Sequence, residues 1–206
     1  PILSSFTKIS NVVYTSVPSL NSPFYNENST TIQDYKMDIY LPDGDNLTRR
    51  PAIIFAHGGG FVTGDKGVDD MVAFCEEFVK KGYVTASIDY RQGVEVADNA
   101  DLHYTRAAWR GLQDGRSATR FLRAKASTYG INPDMIYWGG NSAGSVIGLN
   151  TIYLDNSEKP GYTGSTSYSI GIIPYSAPDL GPLDIGDNQG FSGQPNAVMA
   201  CWGGIS

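Results

Sequence analysis

Ser142 stands in Gly140-Asn141-Ser142-Ala143-Gly144, a G-x-S-x-G pattern. It follows the apolar run Met135-Ile136-Tyr137-Trp138 and precedes a helix-like stretch carrying Val146, Ile147 and Leu149. In a chain with 24 glycines the pattern alone says little. Its context says more, because a buried strand entering and a helix leaving make the motif a sharp bend in which the serine takes strained backbone angles. Side chains at Gly140 and Gly144 would collide there with the neighbouring strand and helix. The hydroxyl is then exposed at the carboxyl edge of a sheet, and the new helix points its N–H groups at charge developing on an attacked carbonyl. That is the chemistry of acyl transfer.

A second constellation lies 85 residues upstream and also follows a buried strand: His57-Gly58-Gly59-Gly60-Phe61. Backbone without side chains can turn its N–H groups into a concavity and bind an oxyanion without charged residues. A phosphate-cradling loop is the competing reading, and it fails on spacing. Gly58, Gly60 and Gly64 miss G-x-G-x-x-G by one residue, and Asp65 stands where a G-x-x-x-x-G-K loop needs lysine.

Other reactive groups are sparse. His57 and His103 are the only histidines, and Cys75 and Cys201 lie 126 positions apart with no CxxC, so no metal-ligand spacing exists. Spacing alone does not pair the two thiols. Cys75 sits among Met71, Phe74 and Phe78 at the 3-and-4 interval of an apolar helix face and reads as a buried free thiol. Asp89, Asp114 and Asp134 could be imagined as the paired acids of a glycosidase, but their places suit capping and structural pairing better. Phe61, Trp138, Trp202 and the tyrosines read as core or rim packing ahead of an acyl or aromatic pocket.

The elements that must position these groups follow from pattern. Residues 9–17 and 35–41 read as strands, separated from the rest by Pro42-Asp43-Gly44-Asp45. Residues 52–56, 83–88, 135–138 and 197–202 are continuous apolar runs of the kind buried on both faces of a parallel sheet. Asp69 and Asp70 are expected to cap a helix whose last turn carries Lys80 and Lys81 and whose C′ residue is Gly82. A second helix is expected over about 104–127, with Ala108, Leu112, Gly115, Thr119, Leu122 and Ala126 on one stripe, before Asn132-Pro133-Asp134 ends the connection. Strand and helix alternate, so the expected class is α/β: a mostly parallel central sheet with helices on both faces and two antiparallel lead-in strands. Residues 156–194 lack periodicity and either form a functional loop or hide short elements.

Composition removes whole classes. A chain of 206 residues suits one domain, and 41% hydrophobic content excludes compositional disorder. The net charge of −6 argues against a nucleic-acid surface. No run approaches the roughly 20 apolar residues of a membrane span. Low charge and abundant Gly, Ser, Thr and Asn lean towards export, extracellular or periplasmic. Nothing in the sequence fixes an oligomeric state.

These motifs together resemble the α/β-hydrolase family, in its carboxylesterase and lipase branch with an HGGG-type loop. The resemblance runs from Lys36 (KMDIYLP) through FAHGGGF and Ser87-Ile88-Asp89-Tyr90-Arg91 to WGGNSAGS and AVMACWGG. It implies an α/β-hydrolase fold, a small-molecule ester substrate, no cofactor, Ser142 as nucleophile and the amides of Gly59, Gly60 and Ala143 as the oxyanion hole. His57, Gly58, Gly140 and Gly144 are implied as supporting residues, with His57 shaping the loop and not serving as base. One departure matters: the family's acid and histidine follow the serine, and no histidine follows Ser142. Asp179, Asp184 and Asp187 then have no histidine to orient and read as turn residues. His103, placed before the second helix, reads as a surface or locally bonded side chain. The chain starts at Pro1 and stops at Gly203-Gly204-Ile205-Ser206 after a strand-like run. The expectation is therefore the N-terminal two-thirds of a serine ester hydrolase, inactive alone, lacking the last strands and leaving residues 197–202 as an unpaired edge. A catalytically silent binding module and a serine peptidase on the same fold are the alternatives.

Overall fold

The computed structural model describes residues 3–22, 24–44, 46–94 and 100–201. Two long antiparallel strands, β1 (Phe6–Leu20) and β2 (Thr30–Pro42), lead in. They outrun the spans expected from pattern, because the ladder pairs the exposed Thr30, Thr31, Ile32 and Gln33 of β2 with the end of β1, where Ser19 and Leu20 are buried. A bulge around Asn11 breaks the register of β1, and there the Asn11 N–H donates to Asp38 at 2.9 Å.

The sheet is completed by β3 (Arg50–Ala56), β4 (Val84–Ile88), β5 (Ile131–Asn141) and β8 (Ala197–Cys201), in the order β1-β2-β4-β3-β5-β8. β4, β3, β5 and β8 run parallel, while β2 meets β4 antiparallel. Trp202 lies outside the described residues. Helix α1 (Asp69–Lys80) joins β3 to β4, α2 (Ala100–Ala124) and the single turn α3 (Ala126–Tyr129) join β4 to β5, and α4 (Ala143–Tyr153) leaves β5.

The period of two along β3 builds both cores. Ile53 and Phe55 face Met71, Cys75 and Val79 of α1. Ala52, Ile54 and Ala56 face the other way, with Ile88, Trp138, Leu122 and Ile147. Helices therefore cover both faces. α1 differs from expectation at its start: Val68 is the N-cap, with no side-chain cap, and Asp69 and Asp70 sit in the first turn, where they complement the helix dipole. Gly82 ends it at φ 95°.

α2 begins at Ala100, so His103 lies inside it and is buried, not on a surface before it. Every residue from Trp109 to Leu122 is buried. Of the stripe expected from pattern, Ala108, Leu122 and Ala126 join the sheet core and Gly115 meets Trp138, whereas Leu112 packs with Trp109 and Leu183 on the opposite face, which residues 156–194 cover. That segment holds two one-turn 3₁₀ helices (Asn156–Glu158 and Gly161–Thr163) and a hairpin, β6 (Thr166–Ile170) with β7 (Ile173–Ala177). Its irregular backbone carries carbonyls that need donors, and α2 supplies them. Arg106 donates to the carbonyls of Tyr162 (2.7 Å), Gly164 (2.9 Å) and Pro178 (2.6 Å). Gln113 donates to Leu180 and Pro182, each at 2.7 Å, and Arg120 to Asp187 at 3.1 Å.

Between Arg106 and Asp114, α2 is tied inward by buried ion pairs. Glu27 receives Arg106 (2.8 Å) and Arg110 (2.9 Å), and Asp114, fully buried, receives the side chain of Arg91 at 2.9 Å and its N–H at 2.7 Å. Removing one partner of such a pair leaves an uncompensated buried charge. Asp114→Ala is therefore expected to lower unfolding stability by about 3–5 kcal/mol in urea titrations. Burial also pushes the Cys75 thiol up to about 12, and both cysteines are free. In the native protein a thiol reagent at about pH 8 should label Cys201 and spare Cys75, with both labelled after unfolding.

Candidate active site

The parallel register pairs Ala56 of β3 with Gly140 of β5, so the segments that follow these strands emerge side by side. From β5 the chain turns through Ser142, at φ 47° and ψ −117°, into α4. A positive φ on a serine costs on the order of 1–3 kcal/mol and persists only where the surroundings over-determine it. Here they do. The Ser142 N–H donates to Cys201 of β8 at 3.1 Å, and its carbonyl accepts from Ser145 (3.0 Å) and Val146 (3.1 Å). The Ser145 hydroxyl bonds the carbonyls of Gly140 (2.6 Å) and Cys201 (2.9 Å). A Cβ on Gly144 would stand 2.0 Å from the Ala56 carbonyl oxygen, and one on Gly140 would stand 2.6 Å from the Gly144 carbonyl carbon. Only glycine permits that approach.

From β3 the chain enters the glycine loop. Gly59, Gly60 and Phe61 have φ of 110°, 62° and 61°. This winding turns the Gly59 carbonyl inward to accept from Val62 (3.0 Å) and Thr63 (3.2 Å). Among the described residues no hydrogen bond engages the N–H groups of Gly59, Gly60 or Ala143. A Cβ on Gly58 would lie 3.2 Å from Ser142 Cβ, so loop and serine bend are in contact.

His57 lies beneath the loop, 1% exposed. Its Nδ1–H donates to the Gly58 carbonyl at 2.6 Å, its ring stacks on Tyr90 at 4.4 Å, and the Tyr90 hydroxyl donates to the His57 carbonyl at 2.9 Å. Tyr90 is a brace that pattern reasoning missed. Its signal was the polar-aromatic exit of β4, Asp89-Tyr90-Arg91. Burial holds the His57 pKa below its ordinary value, so the imidazole is neutral. His103 is elsewhere, edge-on to Tyr168 at 4.8 Å and 3.9 Å from Glu27. No hydrogen bond joins either histidine to Ser142 among the described residues.

The aspartates are structural. Asp184 pairs with Arg116 and Arg120, Asp179 with Lys159, and Asp89 accepts the Lys66 N–H at 2.8 Å. Among the described residues no His, Cys, Asp and Glu side chains gather into a metal-binding group, and no helix is long and apolar enough to cross a membrane. Trp138 is core, donating to the Gly144 carbonyl at 3.0 Å. Phe61 does line a cavity. About 610 Å³ opens between α2, α4 and the 3₁₀ turns, walled by Phe61, Tyr104, Trp109, Leu112, Val146 and Tyr162. Phe61 directly follows Gly60, and Val146 bonds the Ser142 carbonyl, so this cavity begins within one turn of the serine.

The family described as BD-FAE matches residues 37–170. A probable isoprenylcysteine alpha-carbonyl methylesterase of Oryza sativa subsp. japonica is 25% identical over 135 residues, which is 66% of this chain and 29% of the relative. Human arylacetamide deacetylase-like 2 is 29% identical over 130 residues, or 61% of this chain and 29% of the relative. Among solved structures, butyrate-bound esterase 2 of Thermogutta terrifontis superposes with a TM-score of 0.57 at 26% identity, covering 82% of this chain and 48% of that one. The same esterase phosphoramylated by tabun gives a TM-score of 0.62 at 23% identity, covering 95% and 56%. The chain thus spans under a third of these curated relatives' length and about half of the solved esterase.

Neutral, buried histidines carry a pH signature. Burial lowers the pKa of both, so in moderately acidic solution the unfolded chain binds more protons than the folded one. Stability should fall as pH drops through the ordinary histidine value near 6.5, and the urea midpoint should decline between about pH 7.5 and 5.5. His57→Gln should make that decline shallower; an unaltered slope would show that His57 is not held neutral.

Proposed function

Since the chain belongs to the BD-FAE family, of carboxylesterase- and lipase-like α/β-hydrolases, we propose that the protein hydrolyses carboxylic esters through an acyl-enzyme on Ser142. The observation that supports this most is the contact between two backbone devices. The serine bend at φ 47° lies against Gly58, and among the described residues the N–H groups of Gly59, Gly60 and Ala143 make no internal hydrogen bond.

In this reading Ser142 Oγ attacks the ester carbonyl and the N–H groups of Gly59, Gly60 and Ala143 receive the tetrahedral oxyanion. Collapse expels the alcohol, which leaves with a proton, and water then attacks the acyl-serine and releases the acid. The aromatic and aliphatic cavity beside Phe61 and Val146 takes one of the substrate's two apolar portions. A serine hydroxyl needs a base to lose its proton at neutral pH. His57 has committed its Nδ1–H to Gly58 and lies buried, and His103 faces Glu27 and Tyr168. We therefore assign the base to a group outside these 206 residues.

The solved neighbour that binds butyrate and the methylesterase among the relatives direct the first assay to short acyl groups and small alcohols. With a short-chain aryl ester as substrate, and in a form of the protein that carries this base, Ser142→Ala should cut kcat by about 10⁴-fold or more. Undiminished turnover would remove Ser142 from the chemistry. Equal cleavage of a peptide anilide would make the protein a peptidase, and binding of the ester without turnover would make it a silent module.

A further inference from the structure

Asn141, between the close-packed Gly140 and the serine, has a side chain that the chemistry above does not use. Its Nδ2 donates to Asp70 Oδ2 in the first turn of α1. Asp70 is itself oriented, because its other oxygen accepts the Met71 N–H at 2.9 Å. A carboxylate only accepts, so this contact fixes which end of the Asn141 amide is nitrogen. The amide oxygen is thereby turned away from Asp70, and it is buried without a hydrogen-bond partner. What it meets is Gly58, where a Cβ would lie 3.0 Å from Asn141 Oδ1. Asn141, Asp70, His57, Gly58 and Gly59 border one small hollow beside the serine bend.

An unpaired buried amide oxygen is unfavourable, and a chain free to choose would turn it to a donor. Its orientation is set from the far end, by Asp70. We propose that Asn141 is a positioning residue: held by Asp70, its amide backs Gly58 and so sets the distance of the Gly59 and Gly60 N–H groups from Ser142. This rests on the reading of those amides as an oxyanion hole. A spacer of this kind acts on the transition state, where the oxyanion exists, so its loss belongs in kcat and not in KM.

The test is an exchange of partners in the base-containing form of the protein, read by turnover of a short aryl ester and by ¹⁵N order parameters at Gly59 and Gly60. Asn141→Asp sets two carboxylates against each other, while the double variant Asp70→Asn/Asn141→Asp swaps donor and acceptor and restores one hydrogen bond. The single variant should lower both order parameters and reduce kcat about tenfold with KM within about twofold; the double variant should recover kcat to within about threefold. Where Asn141→Asp does not fold, Asp70→Ala, away from the strand end, should give the same loosening. Unchanged order parameters and kcat in the single variant, or an exchange variant no better than the single, would overturn the assignment. Full turnover by Ser142→Ala would instead overturn the underlying reading of the site, and the order parameters would still decide what Asn141 does.

Discussion

The site depends on one steric constraint, the approach of the start of α4 to the end of β3. At Gly144 there is no room for a single methyl group against the Ala56 carbonyl, and at Gly140 none against Gly144. That closeness forces the chain between them through Ser142 at a positive φ, and hydrogen bonds from β8 and from Ser145 hold it there. Strain of this size is affordable only inside a rigid frame, and the parallel ladder of β4, β3, β5 and β8 is that frame. Because Ala56 and Gly140 are register partners, the same ladder that strains the serine also delivers the glycine loop beside it.

The second organising feature is the face of α2 turned away from the sheet. A helix there would ordinarily meet water with its polar side. Instead its arginines reach an irregular segment of some forty residues and satisfy its carbonyls one by one, at Tyr162, Gly164, Pro178 and Asp187. A guanidinium offers five donors in a fixed fork and stays charged, so it can close several orphan carbonyls at once where a lysine would close fewer. The segment so pinned forms one wall of the cavity next to Phe61, through Tyr162. Local disorder in sequence pattern is here compatible with a fixed wall, since the order resides in α2.

How far the sequence could be read follows from the same physics. The buried strands β3 and β4 were legible because a strand covered on both faces is a continuous apolar run, whereas β5 takes in Asn132-Pro133-Asp134, which pattern gives to the connection; the bend at Ser142 was legible because only glycine tolerates its neighbours' closeness. The burial of α2 on its second side was not, since Arg106, Arg110, Arg116 and Arg120 look like solvent-facing residues until their carbonyl and carboxylate partners on other segments are known. His103 was misplaced for a related reason: its burial beside Tyr168 comes from the distant β6. Tyr90 and the Asn141–Asp70 contact were missed because they are pairings between segments, which spacing along one segment does not encode.

His57 shows how a residue type with catalytic chemistry can be assigned to support. A base needs a lone pair facing the proton it removes. Here one ring nitrogen carries its proton to the Gly58 carbonyl, the ring is stacked on Tyr90, and a Cβ on Gly64 would stand 2.5 Å from it. Each contact uses a different property of imidazole: a planar face, an N–H donor and a slim edge. Phenylalanine would keep the stack and strand the Gly58 carbonyl, and lysine would bring a charge into a buried place. The ring is thus selected for shape and a single hydrogen bond, and its lowered pKa follows from that burial. With the imidazole neutral, no fixed positive charge sits beneath the loop before a substrate arrives. The backbone N–H groups are then left as the donors that meet the oxyanion, and their field is aligned at no reorganisation cost when charge develops.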